Sequence, residues 1–204
     1  MERSLFWKTL QIPARIMTSL LFDLKTYGIE NVPETGPALL AANHQSYLDP
    51  ILVAVHLRRP VSYFAKSELF VNPFLGRLIR ALGAFPVRQG EGDISAVRET
   101  IRRLGEGYLL NLYPEGTRTL DGEIRPIQRG FALILRRVEV PVIPVAIDGS
   151  FDAWPKGRKL FHPHPIRVMY GKPLQYKDLK GYEIVELLEK TLHTMLEELR
   201  QKRS

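Results

Sequence analysis

Short apolar segments alternate with amphipathic segments along most of the 204-residue chain. The apolar segments are four to six residues long, which is typical of strands that are buried on both faces of a sheet. Predicted strands cover residues 38–42, 61–65, 84–87, 108–112, 142–147 and 166–170. Predicted helices cover residues 51–57, 73–82, 93–104, 129–138 and 183–200. This alternation predicts a single α/β domain with a largely parallel central sheet flanked by helices.

The chain is basic, with 29 Lys and Arg against 22 Asp and Glu and a formal net charge of +7. Such an excess favours anionic partners: a phosphorylated metabolite, an acidic carrier protein or an anionic bilayer. Neither zinc-finger spacing, nor an RNA-recognition signature, nor a long basic helix accompanies the charge, so nucleic acid is not an expected partner. The chain has no cysteine, which excludes disulfides, cysteine nucleophiles and thiolate metal sites.

Residues 1–25 are predicted to form an amphipathic, basic helix that is bent or divided at Pro13. Arg15 interrupts the apolar run that a signal peptide requires. No run in the chain reaches the roughly 18 apolar residues of a membrane-spanning helix. Two alternatives remain: the helix packs on the rest of the domain, or it lies in the membrane interface. The net charge favours an interfacial helix on an anionic phospholipid surface, followed by a folded domain of residues 26–204.

His44 and Asp49 follow the first predicted strand and precede the first predicted helix of the domain. On one continuous helix their side chains would diverge by about 140°. They converge if His44 lies in the turn before the helix and Asp49 in its first turn, next to Pro50. Asp49 could then fix the imidazole tautomer, and the other ring nitrogen could take a proton from a hydroxyl. The alternative is a histidine that only caps a helix.

The segment Glu115-Gly116-Thr117-Arg118 follows the strand predicted at 108–112. A glycine permits a sharp turn that exposes backbone N–H groups, and an arginine fork can bind phosphate oxygens in a bidentate manner. The Glu115 carboxylate would repel phosphate, so it is expected to bond an acceptor hydroxyl or to orient Arg118. A plain surface turn is the alternative.

Further side chains lie near the same predicted edge of the sheet. Arg88 and Lys66 each come after a predicted strand and bring two more cations. Ser46 is the obvious nucleophile for a hydrolase or a ping-pong transferase, but helix capping is its expected role. Pro144, inside the strand at 142–147, predicts a bulge. The histidines of 162–165 lack acidic or cysteine partners nearby, so we expect a loop and no metal.

Four blocks of the chain, in order, resemble those of the glycerolipid acyltransferase family, and in particular its bacterial members that act on 1-acylglycerol-3-phosphate. They are Asn43–Asp49, Gly83–Arg88, Tyr113–Thr119 and Val140–Val145. The resemblance covers roughly residues 28–149, and the segment 171–174 looks like the family's usual ending. The chain departs from the family in its short N-terminus.

The resemblance implies that 26–204 is an acyltransferase domain in which His44 is the general base and Asp49 orients it. The acceptor hydroxyl would attack the thioester of acyl-coenzyme A or acyl carrier protein directly, making phosphatidic acid without an acyl-enzyme. Arg88, Arg118 and the turn at 115–117 would hold the acceptor phosphate, and Lys66 would contact the oxyanion or the carrier phosphate. Neither a metal nor another cofactor is expected. The enzyme would be peripheral or monotopic on the cytoplasmic face of the membrane.

Three alternatives remain open at the level of sequence. One is an acyltransferase that uses glycerol-3-phosphate, another lysophospholipid or an aminolipid. Another is a Ser46-dependent esterase or thioesterase, although the chain lacks the Gly-x-Ser-x-Gly elbow of such enzymes. The last is a non-catalytic membrane-binding module built on the N-terminal helix.

Overall fold

A seven-stranded sheet forms the centre of the molecule in the computed structural model. The structure describes residues 2–87 and 92–203, and it describes the side chains of residues 7–65, 67–86 and 96–203. The strands are β1 Lys25–Tyr27, β2 Ala38–Ala42, β3 Val61–Lys66, β4 Ala84–Val87, β5 Leu109–Leu112, β6 Val142–Asp148 and β7 Arg167–Tyr170. Their order in the sheet is β1-β7-β6-β2-β5-β3-β4. All neighbours are parallel except β6 and β7, so the predicted largely parallel sheet is confirmed.

The described residues form seven α-helices and two short 3-10 helices. The α-helices are α1 Glu2–Phe22, α2 Asp49–Ala54, α3 Pro73–Ala81, α4 Gly92–Gly105, α5 Arg129–Leu135, α6 Ser150–Ala153 and α7 Gly181–Arg203. The 3-10 helices are Ile29–Asn31 and Ser67–Phe70. The helices predicted from the sequence are all present, whereas α6 was not predicted.

The sheet has one strand more than the sequence predicts. No strand was predicted before residue 38, but Lys25–Tyr27 pairs in parallel with Arg167–Met169 as β1. A three-residue edge strand has too few residues to show a hydrophobic period. Its pairing is made by backbone groups 142 residues away in the chain, and a local pattern carries no information about such a partner.

The two faces of the sheet are covered by different helices. In β2, Leu40 belongs to a core cluster with Phe22 of α1 and Leu52 of α2. The adjacent Leu39 belongs to the cluster on the opposite face, with Phe131 of α5 and Leu188 of α7. Successive side chains of a strand point to opposite faces, so the uninterrupted apolar sequence of β2 follows from its burial on both sides.

Helix α1 packs on the body of the domain through one of its faces. It runs through Pro13 as one element, so the expected division at this proline is wrong. Trp7 and Phe22 are buried in the core cluster. The Gln11 side chain donates to main-chain carbonyls at the end of α2, and Arg15 Nε donates to a neighbouring carbonyl at 2.8 Å. These contacts fix how α1 lies against the domain.

The other face of α1 carries apolar side chains that the domain does not cover. Ile12, Ile16, Met17 and Leu20 are all exposed, Leu20 at 80%. The helix therefore packs on the domain through one face, as the first alternative predicts, while the opposite face remains apolar and open; a position in the membrane interface stays a prediction. No helix in the described part of the chain combines the length and the apolar character needed to cross a bilayer.

Strand β6 is continuous through Pro144, so the predicted bulge is wrong. The Pro144 carbonyl accepts a hydrogen bond from Gly171 N at 2.8 Å, just beyond the end of β7. The carbonyl and the nitrogen of one strand residue point to the same neighbour. The N–H that Pro144 lacks would therefore point toward Gly171, beyond the last residue of β7. Its absence removes little hydrogen bonding from the sheet.

Candidate functional site

His44 and Asp49 meet at the carboxyl end of β2. His44 lies in the turn after β2, and Asp49 is the first residue of α2. The imidazole Nδ1 lies 2.7 Å from Asp49 Oδ2. Because a carboxylate only accepts, Nδ1 carries the hydrogen and Nε2 has a lone pair for an incoming hydroxyl. No described residue bonds Nε2, and the imidazole is partly exposed while Asp49 is fully buried.

The Asp49 carboxylate is held by four hydrogen bonds. Besides the imidazole, Oδ2 accepts from the main-chain N–H groups of Gln45 and Ser46, each at 2.7 Å. Oδ1 accepts from Ser150 Oγ at 2.7 Å. Backbone donors of its own turn and a hydroxyl from another element therefore fix the position of the carboxylate.

Ser150 was not predicted from the sequence as part of the site. It lies just after β6, at the edge of the sheet that also carries the end of β2, and its hydroxyl is fully buried. The preceding Gly149 has a φ of 83°, which glycine adopts without strain. A small hydroxyl residue directly after a buried strand and a glycine was the available signal.

Residues after β5 hold His44 from three sides. The Glu115 carboxylate accepts a hydrogen bond from His44 N at 2.7 Å, and Thr119 N donates to His44 O at 2.9 Å. The Tyr113 ring stacks on the imidazole, with centroids 3.8 Å apart and planes inclined by 14°. The segment predicted to bind the acceptor therefore also fixes the backbone and the ring of the predicted base.

Glu115 is almost completely buried, and both of its oxygens accept from backbone N–H groups. Oε1 accepts from His44, and Oε2 accepts from Arg125 N at 2.7 Å. Burial raises its pKa to about 7 despite the opposing effect of these two donors. Its contacts orient the His44 turn and not Arg118. A direct contact with the acceptor stays a prediction.

Gly116 forms the predicted sharp turn with a φ of 70°. A Cβ at this position would lie 2.2 Å from the amide nitrogen of the Gln128 side chain. The Gly116 N–H donates to Tyr113 O, and Thr119 N–H is already bonded to His44 O. The predicted free N–H group is therefore not found at Gly116, and free N–H groups at Thr117 and Arg118 stay a prediction.

Arg118 lies beside the His44 turn. Its guanidinium carbon is 3.5 Å from the centroid of the Tyr47 ring. Stacking on an aromatic face leaves the in-plane N–H donors of a guanidinium directed outward. Arg118 and the adjacent Thr117 are partly exposed. The structure thus places a positively charged side chain on Tyr47, three residues after the predicted base in the chain.

Arg88 lies outside the described residues. Lys66 ends β3 at the same edge of the sheet, but its side chain is also outside the described part. Their predicted contacts with the acceptor phosphate and with the oxyanion or carrier phosphate stay predictions.

Ser46 is not arranged as a nucleophile. Its hydroxyl is buried, donates to Trp154 O at 2.7 Å and accepts from Leu48 N at 3.1 Å. The N-cap residue of α2 is Leu48 and not Ser46, although the Ser46 hydroxyl accepts the Leu48 N–H at the start of the helix. The hydroxyl also links the turn to the segment after α6.

The histidines of 162–165 lie outside any helix or strand, as expected. His164 Nε2 contacts Arg203 at 2.8 Å and Asp152 at 3.4 Å. In the described part of the chain, no group of three or more His, Asp and Glu side chains is arranged to hold a metal ion.

An apolar cavity of about 190 Å³ lies between α1, α2 and α3. Leu10 and Met17 of α1, Pro50 and Ile51 of α2, and Leu78 of α3 line it. Pro50 directly follows Asp49 in the chain, so one wall of the cavity is formed by the residue after the predicted orienting carboxylate. A hydrocarbon chain fits the chemistry of this lining.

Comparison with known proteins identifies the class of protein that this fold and site define. The family model described as Acyltransferase matches residues 23–148, which includes strands β2 to β6 and the His44 turn. The chain therefore belongs to the acyltransferase family, and it is an O-acyltransferase.

Individual relatives give a narrower resemblance. The chain is 30% identical over 192 residues to the 1-acyl-sn-glycerol-3-phosphate acyltransferase of Bacillus subtilis, covering 92% of this chain and 94% of the relative. It is 28% identical over 151 residues to a chloroplastic enzyme of the same name from Brassica napus, covering 72% of this chain but 44% of that one.

A solved structure matches nearly the whole chain. The crystal structure of the 1-acyl-sn-glycerophosphate (LPA) acyltransferase PlsC from Thermotoga maritima superposes with a TM-score of 0.79 at 30% identity. The match covers 97% of this chain and 78% of that one.

Proposed function

We propose that this acyltransferase moves a fatty acyl group from acyl-coenzyme A or acyl carrier protein to the free hydroxyl of 1-acylglycerol-3-phosphate, forming phosphatidic acid. The observation that carries the proposal is the 2.7 Å contact between His44 Nδ1 and Asp49, with the Arg118 guanidinium near the same turn. The acceptor is the one in the names of the relatives from Bacillus subtilis and Brassica napus.

In the proposed reaction, His44 Nε2 takes the proton of the acceptor hydroxyl. The resulting alkoxide oxygen attacks the thioester carbonyl, the new ester C–O bond forms, and the C–S bond breaks. The thiolate leaves and takes the proton back from the imidazolium. Asp49 keeps the ring in the productive tautomer throughout. General-base catalysis of this kind contributes about 10² to 10⁴ in rate.

Transfer in this proposal is direct, without an acyl-enzyme. The Ser46 hydroxyl, the nearest alternative nucleophile, is buried and donates away from the imidazole, to Trp154 O. The acceptor phosphate is bound by Arg118 and Arg88, and Lys66 is assigned to the oxyanion or the carrier phosphate. No metal or other resident cofactor takes part.

The apolar cavity is the proposed site of an acyl chain, because its wall begins at Pro50 beside Asp49 and is almost wholly apolar. The open face of α1 is proposed to lie on an anionic phospholipid surface, at the cytoplasmic side of the membrane. Ile16 and Leu20 provide the apolar contact, and Lys8 adds positive charge.

The test of the reaction is acyl transfer from radiolabelled acyl-coenzyme A, with lysophosphatidic acid, glycerol-3-phosphate, other lysophospholipids, an aminolipid and water as competing acceptors. We expect phosphatidic acid as the main product, lost in His44→Ala and retained in Ser46→Ala. Transfer to another acceptor would replace the acceptor in the proposal. Release of free fatty acid alone, abolished by Ser46→Ala, would identify a thioesterase and overturn it.

If acyl-coenzyme A supports no turnover, the same assay is repeated with acyl carrier protein as the acyl donor. Turnover in that assay identifies acyl carrier protein as the donor. Absence of turnover with both donors, together with vesicle binding that survives His44→Ala, would leave a membrane-binding module.

The membrane part needs a separate variant. Deleting α1 would remove Trp7 and Phe22 from the core, so loss of vesicle binding would be confounded with unfolding. Ile16→Ser with Leu20→Ser changes only exposed side chains. We expect this variant to sediment less with anionic vesicles at unchanged thermal stability. Unchanged sedimentation would remove α1 from the contact.

A further inference from the structure

The segment from the second 3-10 helix through α3, residues 67–81, exposes large apolar side chains. Val71 is 81% exposed and Phe74 is 85% exposed. Leu69, Leu75 and Leu78 are also exposed. Only Gly76 of the whole helix α3 is buried. An apolar helix inside a globular domain normally buries one face, so this surface calls for a partner.

Hydrogen bonds and close packing hold the segment in a conformation that directs these side chains outward. Asn72 Oδ1 caps α3 by accepting from Phe74 N and Leu75 N, each at 3.0 Å. Gly76 lies so close to the preceding 3-10 helix that a Cβ would be 2.9 Å from Phe70 O. Capping and close packing stabilise a helical hairpin whose apolar side chains still point into solvent.

The charge of the segment indicates what kind of partner fits. Residues 67–81 contain two basic residues, Arg77 and Arg80, and one acidic residue, Glu68, so the segment keeps a net positive charge. Both arginines are exposed, and Arg80 lies over the Phe70 ring at 4.8 Å. Apolar side chains interleaved with arginines are the composition of an interfacial helix on anionic lipid.

The segment adjoins the open face of α1. Helices α1 and α3 contact each other, and Met17 and Leu78 line the apolar cavity between them. Leu82, directly after α3, packs with the core cluster that includes Phe22 of α1. The exposed apolar side chains of both helices therefore flank one cavity on the same face of the sheet.

We propose that residues 67–81 are a second bilayer-contact element, in which Val71 and Phe74 insert among lipid chains and Arg77 lies at anionic head groups. The inference rests on the proposed membrane location of the enzyme and adds to it a contact independent of α1. With α1 and α3 both in the interface, the cavity between them faces the bilayer.

The absence of native cysteines permits a direct test in the full chain. Phe74→Cys carries an environment-sensitive nitrobenzoxadiazole fluorophore. The matched control is Leu133→Cys, an exposed apolar position on α5, which covers the other face of the sheet. Vesicles contain equal amounts of phosphatidylcholine and phosphatidylglycerol, with or without spin-labelled lipid as a quencher.

We expect the emission at position 74 to shift to the blue on vesicle addition and to be quenched by the spin-labelled lipid, while the emission at 133 does not change. A position-74 probe that stays in water while the protein sediments with vesicles overturns the proposal. So does a probe that is already shielded without vesicles in a protein that is dimeric by analytical ultracentrifugation.

A second variant, Val71→Ser with Phe74→Ser, measures the contribution of the segment to binding. We expect its vesicle partition coefficient to fall about tenfold at unchanged thermal stability. Turnover of detergent-dispersed substrate should be unchanged, which separates this inference from the proposed reaction. Absence of acyl transfer with intact insertion at 74 contradicts the reaction alone, and an unchanged partition coefficient contradicts the second contact alone.

Discussion

Two regions of the molecule are built in opposite ways. In the turn that carries His44, backbone groups, the Asp49 carboxylate and the Glu115 carboxylate are all joined by hydrogen bonds near 2.7 Å. On the α1–α3 side, large apolar side chains such as Leu20 and Phe74 remain exposed without a protein partner. In the first region the polar groups bond one another within the described chain. In the second region the apolar side chains are left uncovered by the described chain.

The difference reflects what each region is proposed to do. Proton transfer requires heavy atoms within hydrogen-bond distance, so small displacements of a base are costly. Contact with lipid depends on the apolar area buried and on charge, and it tolerates variation in position. Changes in the turn should therefore alter kcat and leave vesicle binding intact, whereas changes on the α1–α3 side should do the reverse.

The largest effect is expected at the dyad. His44→Ala and Asp49→Ala should each lower kcat by at least about 10²-fold, because one removes the base and the other its orienting group. Steady-state acyl transfer measures kcat, and sedimentation with anionic vesicles serves as the control. A variant Asp49→Ala with full activity would contradict the dyad, and loss of vesicle binding would contradict the separation of the two regions.

Arg118→Ala should raise the KM for the acceptor by about tenfold or more, since charge-assisted bonds to phosphate would be lost. Arg118→Lys should recover part of this loss, because lysine keeps the charge without the planar fork that stacks on Tyr47. The exposed Arg136→Ala is the control for net charge. An unchanged acceptor KM with a higher donor KM would assign Arg118 to the donor.

Ser150→Ala should lower kcat about tenfold at unchanged acceptor KM, because it removes the donor to Asp49 Oδ1 within the core. Ser62→Ala is the matched control, a buried serine near the start of β3. A merely structural role would lower thermal stability in both variants and leave kcat of the folded enzyme unchanged.

The smallest effect concerns the pH dependence of stability. Between about pH 4.5 and about pH 7 folded Glu115 keeps a proton that the unfolded chain has released, so its contribution makes stability fall as pH rises. Glu115→Gln should remove up to about 1.4 kcal/mol per pH unit from that slope. Denaturant unfolding at several pH values measures it, with the exposed Glu197→Gln as control. Parallel slopes in wild type and Glu115→Gln would show that Glu115 does not titrate in this range.

Much of the fold was predictable because its signals are local. The apolar run of β2 and the acidic start of α2 can each be predicted from a few adjacent residues. The turn between these two elements brings His44 to Asp49. Ser150 was not predictable in this way, since it reaches Asp49 from 101 residues away. No periodic pattern encodes which buried strands are neighbours.

Two further features of the structure could not be predicted, because they too depend on contacts between residues far apart in the chain. The sequence shows that Glu115 is an acidic residue. Only the folded chain shows that its two carboxyl oxygens accept hydrogen bonds from the backbone N–H groups of His44 and Arg125. Likewise the apolar pattern of α3 is typical of a helix that faces a core. Its actual exposure accompanies its position beside β4, the last strand at one end of the sheet in the described part of the chain.

The segment 113–119 supports the His44 turn as well as carrying Arg118, and this has a consequence for inhibition. Glu115 and Thr119 hold the main chain of His44, and Tyr113 lies flat against its ring. A compound that wedges this segment outward would release the base from its orientation without touching the imidazole or resembling a lipid. The turn beside Gly116, closed by the Gln128 side chain, is the place where such a wedge would act.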